Sequence, residues 1–485
     1  MFTNSEHISG ASHLPADPRA LFDIAATRRA EYMATPVAGV RSLMQHAGLA
    51  VARLALALAP HARTIWIACG PGNNGGDGLE AAFHLHRWGK DVVVSELPDN
   101  PTRAGNALAS QQRAIAAGLP MGTIAPAQFD FCIDALYGIG KCNGIDGLCL
   151  DWMARMNTSP AGVLAVDCPT GLNADTGAAL SQVVRASATL SLLTLKPGLF
   201  TADGRACCGD IWLNTLNVAL GQNPCASLGG TPTLHARPHN THKGSYGDVA
   251  VIGGDSGMLG AAVLAARAAL VGGAGRVYMG LLADQGMTWD DQQPELMVRP
   301  VATLAMETLT VVAGCGGGQA IANCLVDTVL RARSLVLDAD ALNQLALSLD
   351  VQSKLAQRPS GTTVLTPHPL EAARLLATSV GAVQSHRLQA AQTLADRWQC
   401  TVVLKGSGTV IAAPHRVPVI NPTGNARLAT AGTGDVLAGL IGSYLARGQD
   451  AFSAACDAVY RHGQCADHWP TGAGALTAHR LTQML

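Results

Sequence analysis

The chain alternates short apolar runs with helical patterns, and it does so in two separate segments. In the first segment the apolar runs occupy 64–69, 91–96, 131–136 and 162–167. In the second they occupy 248–254, 308–314, 334–340, 362–367 and 401–406. Helical patterns are found at 78–88, 102–117, 260–270, 369–376 and 433–445. Apolar strands separated by helices are typical of parallel sheets with helical cover, so the sequence predicts the α/β class.

A stretch near 220–240 separates the two segments, and it is rich in Gly, Pro, Ser and Asn without periodicity. With 485 residues, the chain is expected to form two domains. We predict a loose N-terminal tail and two α/β domains joined by a linker. The tail covers 1–17, the first domain 18–222, the linker 223–236 and the second domain 237–485.

Bulk composition narrows the partners and the compartment. The net charge is −1, which argues against nucleic acid or an anionic membrane as the main partner. No apolar run reaches the ~18–20 residues that span a bilayer, and the N-terminal stretch lacks a secretory pattern. The 13 cysteines are scattered without a CxxC pair, which indicates a reduced, cytoplasmic chain. Alanine-rich helical surfaces favour a homo-oligomer, and the histidines show no transition-metal spacing.

Polar residues follow three strands of the first segment at the points where those strands end. The run GPGNNGGDG at 70–78 reads as a strand–loop–helix phosphate cradle. Asp134 lies inside an apolar run, Asp167 closes another, and Thr170 adds a hydroxyl. Because ligands of open α/β sheets bind beyond the carboxyl ends of the strands, these side chains are expected to converge with Asn74. Their oxygens suit a hard cation, and the few carboxylates allow a monovalent one.

Each of these features also has a plain structural explanation. A glycine-rich run can be a surface turn in which Asp77 caps a helix. Asp134 can be a satisfied core carboxylate, and the run after Asp167 can be a strand-end turn. The combination of all three in one segment favours a ligand site.

The strings GPGNNGGDG, DALYGIG and VDCPTG resemble the three signatures of the NAD(P)H-hydrate epimerases, in the same order. The resemblance implies a Rossmann-like three-layer domain that binds hydrated nicotinamide dinucleotide, with Asp167 beside the reacting ring as a catalytic residue. It implies a potassium ion held by Asn74, Asp134 and Thr170. Substrate contacts would come from Asn73, Asn74, Gly75, Gly76, Asp77, Gly138, Ile139, Gly140, Lys141, Cys142, Asn143 and Gly144. This chain departs from the family at KCNGIDG after Gly140, and Thr170 replaces the commoner serine.

The second segment contains a glycine-rich turn that opens a helix, Ala431-Gly432-Thr433-Gly434-Asp435. Unpaired N–H groups at a helix start attract phosphate oxygens. An aspartate placed there is unfavourable unless it takes part in chemistry, for example by accepting a proton from a hydroxyl that receives a phosphoryl group. A helix with an acidic first turn and no ligand is the alternative.

The motifs HKGxxG, DADALN, TPHxxE, KG..T, NPTGN and AGTGDVLAG resemble those of the ADP- or ATP-dependent NAD(P)H-hydrate dehydratases, a branch of the ribokinase-like fold. The resemblance implies that ADP or ATP, supplied with Mg²⁺, binds through Lys405, Gly406, Ser407, Gly408, Thr409 and Gly434. It implies that hydrated dinucleotide faces Ala261, Gly316, Gly318, His368 and the catalytic Asp435. The family's GPGLG reads GCGGG here, at 314–318.

Together the two halves predict repair of hydrated NADH and NADPH. The first half would interconvert the R and S epimers, and the second would dehydrate the S epimer at the expense of ADP or ATP. A ribokinase-like small-molecule kinase with an N-terminal dinucleotide-binding module is the competing enzyme class. An N-terminal domain that only binds is the non-enzymatic alternative. The sequence does not decide between ADP and ATP, or between the two hydrates.

Overall fold

The computed structural model describes residues 5–9, 15–34, 42–97, 103–140, 145, 147–219, 221, 223–232, 238–283 and 287–485. The chain divides into two compact units. The first comprises Met1–Pro15 and Arg19–Leu228, and the second comprises Ala16–Pro18 and Gly229–Leu485. Each unit is built from a sheet with helices, so the predicted α/β class is confirmed.

The first unit contains ten strands and six α-helices within the described residues. Its strands are β1 (Glu6–Ser9), β2 (Arg19–Leu21), β3 (Thr64–Cys69), β4 (Asp91–Glu96), β5 (Met121–Gly122), β6 (Phe131–Ala135), β7 (Gly162–Val166), β8 (Ala188–Leu192), β9 (Asp210–Asn214) and β10 (Ala226–Leu228). Its helices are α1 (Ile24–Ala34), α2 (Leu43–Leu58), α3 (Asn73–Arg87), α4 (Gly105–Ala116), α5 (Gly147–Thr158) and α6 (Gly204–Cys207).

The main sheet of this unit has the order β1-β9-β8-β7-β6-β3-β4-β5. All neighbours are parallel except β1, which pairs antiparallel with β9. Alternate residues of β3 enter two separate cores: Ile65 and Ile67 pack on one face, and Trp66 and Ala68 on the other. A strand that is buried on both faces has a continuous apolar sequence, and for this reason β3 could be predicted from the sequence.

Three features of the first unit differ from the sequence-based expectations. Residues 6–9, expected to be part of a loose tail, form a strand because Glu6 and His7 pair with Leu213 and Trp212. Strand β10 lies inside the expected linker and pairs antiparallel with β2. Helix α3 begins at Asn73 instead of following the glycine-rich run. That run is therefore largely the first helical turns.

The second unit contains nine strands and ten α-helices within the described residues. Its strands are β11 (Asp248–Gly253), β12 (Arg276–Leu281), β13 (Met297–Val298), β14 (Thr310–Ala313), β15 (Ser334–Leu337), β16 (Thr363–Leu365), β17 (Thr401–Leu404), β18 (Val410–Ala412) and β19 (Val419–Ile420). Its helices are α7 (Leu259–Val271), α8 (Ala322–Arg331), α9 (Ala339–Leu347), α10 (Leu349–Ala356), α11 (Pro369–Leu376), α12 (Val380–Ser385), α13 (Arg387–Trp398), α14 (Thr433–Ala446), α15 (Ala451–Asp467) and α16 (Ala478–Thr482).

The strands of the second unit run in the order β13-β12-β11-β14-β15-β16-β17-β18-β19. The pairs from β13 to β17 are parallel, and β18 and β19 continue the sheet antiparallel. Helices α7 and α14 pack closely at Gly439. A Cβ at this position would lie only 2.0 Å from the carbonyl oxygen of Ala265. Only glycine permits this approach, because any side chain would overlap the backbone of α7.

None of the helices in the described part of the chain is long and apolar enough to cross a bilayer. No disulfide joins any of the twelve cysteines that the structure describes.

Candidate active sites

A cavity of about 550 Å³ opens in the first unit, beyond the carboxyl ends of β3, β6 and β7. The residues predicted to contact substrate that line it follow those three strands. They are Asn73, Asn74, Asp77, Gly138, Ile139, Gly140 and Asp167. The structure thus brings most of the described members of the predicted set to one sheet edge, as expected for an open parallel sheet.

Gly75 and Gly76 belong to the predicted set but do not line this cavity within the described residues. Both are buried, and a Cβ at Gly75 would lie 2.0 Å from the carbonyl oxygen of Gly70. A Cβ at Gly76 would lie 2.6 Å from the sulfur of Met44. These glycines therefore let α3 pack tightly, and neither has a positive φ. Lys141, Cys142, Asn143 and Gly144 lie outside the described residues.

Asp167 is held at the cavity wall by a buried ion pair. It follows β7 with a φ of 66°, a left-handed backbone rare for a non-glycine residue. Its Oδ1 accepts hydrogen bonds from the Nζ of Lys196 and, at 3.1 Å, from the amide of Leu192. Lys196 is fully buried, and its Nζ also donates to Leu192 O (2.7 Å) and Ser191 Oγ (3.2 Å). All three ammonium hydrogens are used, so Lys196 fixes Asp167.

Two further carboxyl groups share this cavity with Asp167. Burial raises the pKa of Asp77 well above its ordinary value, and the charges of Asp167 and Glu31 add to the effect. Burial and the charge of Asp167 also raise the pKa of Glu31. Carboxyl groups with raised pKa values in a cleft are typical of acid–base sites, because such a group can hold a proton near neutral pH.

Behind the cavity, Asp134 and Thr170 form a buried oxygen cluster. The carboxylate of Asp134 accepts from Thr170 Oγ1 (2.7 Å), Thr170 N (2.9 Å) and Leu136 N (3.2 Å). Burial raises the pKa of Asp134 to about 6. Asn74 donates from its amide nitrogen to Val166 O (3.1 Å) and accepts from Gly138 N (3.2 Å). The structure thus places Asp134 against Thr170, and Asn74 against Gly138.

These oxygens suit the predicted potassium ion. Asp134 is fully buried, yet no arginine or lysine of the described ranges forms an ion pair with it. A buried carboxylate without a counterion is unfavourable even when it accepts hydrogen bonds, and a bound cation would compensate it. The available donors are carboxylate, amide and hydroxyl oxygens, which bind hard cations.

The second site is built around an ion pair between Lys405 and Asp338. Lys405 follows β17 and Asp338 follows β15, and the Nζ–Oδ1 distance is 2.7 Å. Thr366 Oγ1 donates to the same oxygen at 2.7 Å. Burial opposes the charge of Lys405, but the carboxylates of Asp338 and Glu371 outweigh it and raise the pKa. The sequence motif contained Asp338, but its pairing with Lys405 was not predicted.

Asp435 lies half-buried in the first turn of α14, next to this pair. Burial raises its pKa to about 6, and the charge of Asp338 adds to the rise. The Lys405 ammonium and the thiol of Cys315 act in the opposite direction. Gly432 precedes the helix with a φ of 87°, which favours glycine. A Cβ at Gly434 would lie 3.4 Å from Lys405 Nζ, so the predicted nucleotide residues Lys405 and Gly434 are neighbours.

Cys315 belongs to the GCGGG departure, and its buried thiol reaches the same centre. Its sulfur and one carboxylate oxygen each of Asp338 and Asp435 lie within 4.8 Å of one another. Gly316 and Ala261, two of the predicted substrate residues, are neighbours here. A Cβ at Gly316 would lie 2.9 Å from the Cβ of Ala261. Gly318 contacts another acid: its N–H donates to Asp340 Oδ2 at 2.9 Å.

His368 caps helix α11. Its Nδ1 accepts from the amides of Leu370 (3.1 Å) and Glu371 (3.3 Å), which leaves the proton of the neutral ring on Nε2. Burial and the Lys405 charge lower the pKa of His368. Burial raises the pKa of Glu371 to about 7. His368 is partly exposed, and its Nε2 lies 3.2 Å from Oε1 of Glu371.

The predicted nucleotide loop, 405–409, bends at two glycines with positive φ, Gly406 (124°) and Gly408 (60°). Thr409 Oγ1 donates to Gly406 O at 3.0 Å. The buried guanidinium of Arg387 supports the loop from behind, donating from Nη2 to Leu404 O and Lys405 O at 3.1 Å each. Sequence reasoning missed Arg387, because an arginine in a helical pattern gives no sign of burial.

Sequence reasoning also missed three residues of the first site, Lys196 and the cavity-lining Arg28 and Glu31. Lys196 did leave a signal, since it interrupts the apolar stretch LSLLTLKPGLF at 190–200 just as Asp134 interrupts its own run. Arg28 and Glu31 lie in α1 among other charged residues and gave none.

Comparison with known proteins finds a different family for each half of the chain. Residues 249–485 match the family described as NAD(P)H-hydrate dehydratase, and residues 40–198 match the family described as YjeF-related protein N-terminus. The chain is 36% identical over 465 residues to the bifunctional NAD(P)H-hydrate repair enzyme Nnr of Escherichia coli (strain K12). That similarity covers 91% of this chain and 88% of the relative.

Two further relatives match the second half. The ADP-dependent (S)-NAD(P)H-hydrate dehydratase of Neisseria meningitidis serogroup B is 42% identical over 246 residues, covering 49% of this chain and 82% of the relative. A crystal structure of the ADP/ATP-dependent NAD(P)H-hydrate dehydratase from Bacillus subtilis, co-crystallised with ATP and Mg²⁺, is 32% identical. It covers 52% of this chain and 92% of that chain, with a TM-score of 0.44.

Proposed function

We propose a reaction at each of the two sites of this chain, which belongs to the family of bifunctional NAD(P)H-hydrate repair enzymes. The chain interconverts the R and S epimers of hydrated NADH or NADPH, and it dehydrates the S epimer with a nucleotide. We assign the first activity to 18–222 and the second to 237–485, with 223–236 between them. The relation covers both halves, so a kinase with an added binding module is not required.

For epimerisation, we assign the proton donor to Asp77 and the stabilising carboxylate to Asp167. The hydroxyl-bearing ring carbon is bonded to the ring nitrogen, whose lone pair can expel that hydroxyl. Asp77, with its raised pKa, donates a proton so that the group leaves as water. Asp167 stabilises the resulting cationic ring. It then takes a proton from the water that adds to the opposite face, and solvent returns both acids to their starting states.

The potassium ion of the epimerase site would be held by Asn74, Asp134 and Thr170. It would supply a fixed positive charge behind the glycine run at 138–140. The oxygen ligands that these residues offer support the assignment, as does the burial of Asp134 without an ion-pair partner among the described residues. The residues themselves keep the wall of the cavity in place, because Thr170 Oγ1 also accepts from the amide of Tyr137 at 3.0 Å.

For dehydration, we assign the general base to Asp435. Its carboxylate removes the proton from the ring hydroxyl, and the oxygen attacks the terminal phosphorus of ADP or ATP. The P–O bond to the remaining nucleotide breaks, releasing AMP or ADP. The ring nitrogen then expels phosphate, and loss of the proton on the adjacent carbon restores the dihydropyridine. Amides at 432–434 and the Lys405 ammonium stabilise charge on the moving phosphoryl group.

The remaining predicted residues divide between the two ligands of this site. The loop Lys405–Thr409 and Gly434 would hold the nucleotide phosphates, and Mg²⁺ would arrive with the nucleotide. Ala261, Gly316, Gly318 and His368 would face the dinucleotide. The His368 Nε2–H, which lies 3.2 Å from Oε1 of Glu371, would have to turn from that carboxyl to donate to a nicotinamide oxygen, since Nδ1 is occupied by the helix cap. Lys141 to Gly144 remain proposed contacts of the epimerase, and a cytoplasmic location remains a proposal.

The observation that carries the proposal is the position of Asp435 beside the Lys405–Asp338 pair at a helix start. Absorbance at 340 nm tests it directly, because hydrated NADH does not absorb there and NADH does. We expect the S epimer to yield NADH only when ADP or ATP is present, and the R epimer to follow at the rate of epimerisation. A phosphorylated product that persists, without NADH, would indicate a kinase instead.

A further inference from the structure

A second cavity, of about 500 Å³, adjoins the epimerase cavity and has not been assigned a role. Arg28 and the run Gly138–Gly140 line both cavities, so the two meet along this rim. The second cavity is otherwise formed by α1 and by the loop after Thr170, from Gly171 to Asp175. The two volumes together reach the upper range of natural ligand pockets, about 1,000 Å³, which suits a molecule larger than a nicotinamide nucleoside.

The first cavity is acidic. Glu31, Asp77 and Asp167 line it. The ammonium of Lys196 already donates its hydrogen bonds to Asp167 and to two neighbouring oxygens. A diphosphate carries negative charge and would be repelled from these carboxylates. The nicotinamide end of a dinucleotide, in contrast, becomes positive during epimerisation and is stabilised there. The diphosphate must therefore lie away from the acidic wall.

Arg28 supplies the missing positive charge at the junction. It is exposed on α1, and within the described residues its guanidinium forms neither a hydrogen bond nor an ion pair. Its positive charge acts to lower the pKa of Glu31, in the first cavity, and of Asp175, in the second. Gly140 lines the same two cavities and has no described atom within 4 Å of where a Cβ would be, so an anionic ligand can approach the backbone there. A planar guanidinium with free N–H groups binds phosphate oxygens in pairs.

We propose that the two cavities form one cleft for the intact dinucleotide, with Arg28 binding the diphosphate at the junction and the second cavity taking the adenosine half. This inference rests on the epimerase function proposed above and extends it to the part of the substrate that does not react. Asp175 is the carboxylate of the second cavity, and its Oδ1 is occupied by the amide of Ile24 at 2.8 Å. Its other oxygen suits a ribose hydroxyl and repels a 2′-phosphate. The cleft is therefore expected to favour hydrated NADH over hydrated NADPH.

The test uses the full chain without ADP or ATP, so that dehydration cannot proceed and epimerisation is followed alone by chromatography. Arg28→Gln is compared with Arg29→Gln, the adjacent exposed arginine, which lines neither cavity. Each variant is assayed with hydrated NADH and with the hydrate of reduced nicotinamide riboside, which has no phosphate. We expect Arg28→Gln to raise KM for hydrated NADH roughly tenfold or more, as for loss of a charged hydrogen bond, with kcat within about twofold.

The riboside hydrate and Asp175 complete the test. KM for the riboside should be the same in both arginine variants, and Asp175→Asn should raise kcat/KM for hydrated NADPH relative to hydrated NADH. Equal KM values for hydrated NADH in the two arginine variants would overturn the inference. So would an Arg28→Gln variant whose KM rises as much for the riboside hydrate as for hydrated NADH. If the unaltered chain does not epimerise hydrated NADH at all, the proposed function fails instead, so the two failures are distinguishable.

Discussion

The two sites use the same pair of residue types, aspartate and lysine, in different arrangements. In the first unit, the lysine pairs with the aspartate at the substrate cavity: Lys196 fixes Asp167. In the second unit, Lys405 pairs with Asp338, and the proposed base, Asp435, stands beside the pair. The pKa of Asp435 is consequently raised to about 6 by burial and the charge of Asp338.

This difference determines what each carboxylate can do. A carboxylate paired with a buried ammonium is held in one orientation, and it suits stabilisation of a cationic ring. A carboxylate next to another acid holds protons more readily, and it suits removal of a hydroxyl proton near neutral pH. The first site then needs a separate proton donor, for which Asp77 is available. The second needs a separate cation for phosphate, for which Lys405 is available.

The largest expected effect comes from removing the carboxylate of Asp435, the proposed base, which lies beside the Lys405–Asp338 ion pair and is not part of it. Asp435→Asn should reduce dehydration about a thousandfold, because general-base catalysis is typically worth a factor of ~10²–10⁴. The 340 nm assay with the S epimer and ADP or ATP measures it. Asp350→Asn, in the first turn of α10 and exposed, is the matched control and should retain full activity. Near-normal turnover of Asp435→Asn would remove Asp435 from the mechanism.

At the other site, Asp167→Ala should abolish epimerisation and spare dehydration. The S epimer should be consumed at the normal rate, while the R epimer should disappear only as fast as it epimerises spontaneously. We expect the enzymatic epimerisation rate to fall about a hundredfold or more. Feeding each epimer separately, with nucleotide present, gives both readings from one preparation. Normal consumption of the R epimer would show that epimerisation does not depend on Asp167.

Lys196→Met separates the role of the ion pair from the role of the carboxylate. Removing one partner of a buried pair leaves an uncompensated charge and typically costs about 3–5 kcal/mol of unfolding free energy. Epimerisation should fall roughly tenfold or more because Asp167 loses its fixed orientation. Urea unfolding monitors the first effect and chromatography of the epimers the second.

The double variant Lys196→Met/Asp167→Asn tells whether charge or shape is responsible. It removes both charges, so it should recover most of the lost stability without recovering activity. A double variant as unstable as Lys196→Met alone would mean that Lys196 acts through packing of its side chain, and the contrast between the two sites would lose its electrostatic basis.

How far the sequence predicts these sites depends on whether a residue contrasts with its neighbours. Asp134 stood out because it interrupts an apolar strand, and the rule that ligands bind beyond strand ends placed it near Thr170. The partner of Asp167 could not be assigned in the same way: Lys196 lies 29 residues away, and only the parallel pairing of β7 with β8 brings them together. Gly75 and Gly76 remain predicted contacts, but the sequence could not show that they also let α3 pack tightly, because glycine serves both open loops and close helix packing.

The two sites should also respond oppositely to pH. Dehydration needs ionised Asp435, so kcat should rise with pH through about 6 and be roughly tenfold below its plateau one pH unit lower. Epimerisation needs protonated Asp77, whose pKa is raised, so its rate should fall as the pH rises past that pKa. Rates at saturating substrate across pH 4.5–9.5 are expected to give these opposite slopes. Parallel profiles would contradict the assignment of one base and one acid.

The smallest expected effect concerns Cys315, and it tests the dehydratase profile most specifically. The terminal phosphate of the nucleotide also titrates near pH 6, so a midpoint there does not by itself identify Asp435. The Cys315 thiol is buried against Asp435 and lowers its pKa by hydrogen bonding, so Cys315→Ala should move the midpoint upward by a few tenths of a pH unit. At pH 6 the rate should fall up to about twofold, with the plateau at high pH unchanged.

Cys315→Ser provides the matched control for this shift. Serine keeps a hydrogen-bond donor of similar size, so the midpoint should return to that of the unaltered chain or below it, because a hydroxyl is a stronger donor than a thiol. The nucleotide phosphate is the same in all three proteins and cannot account for a difference between them. Identical midpoints in the alanine and serine variants would mean that the titrating group belongs to the nucleotide, and that Asp435 is ionised throughout the range even without a lysine of its own.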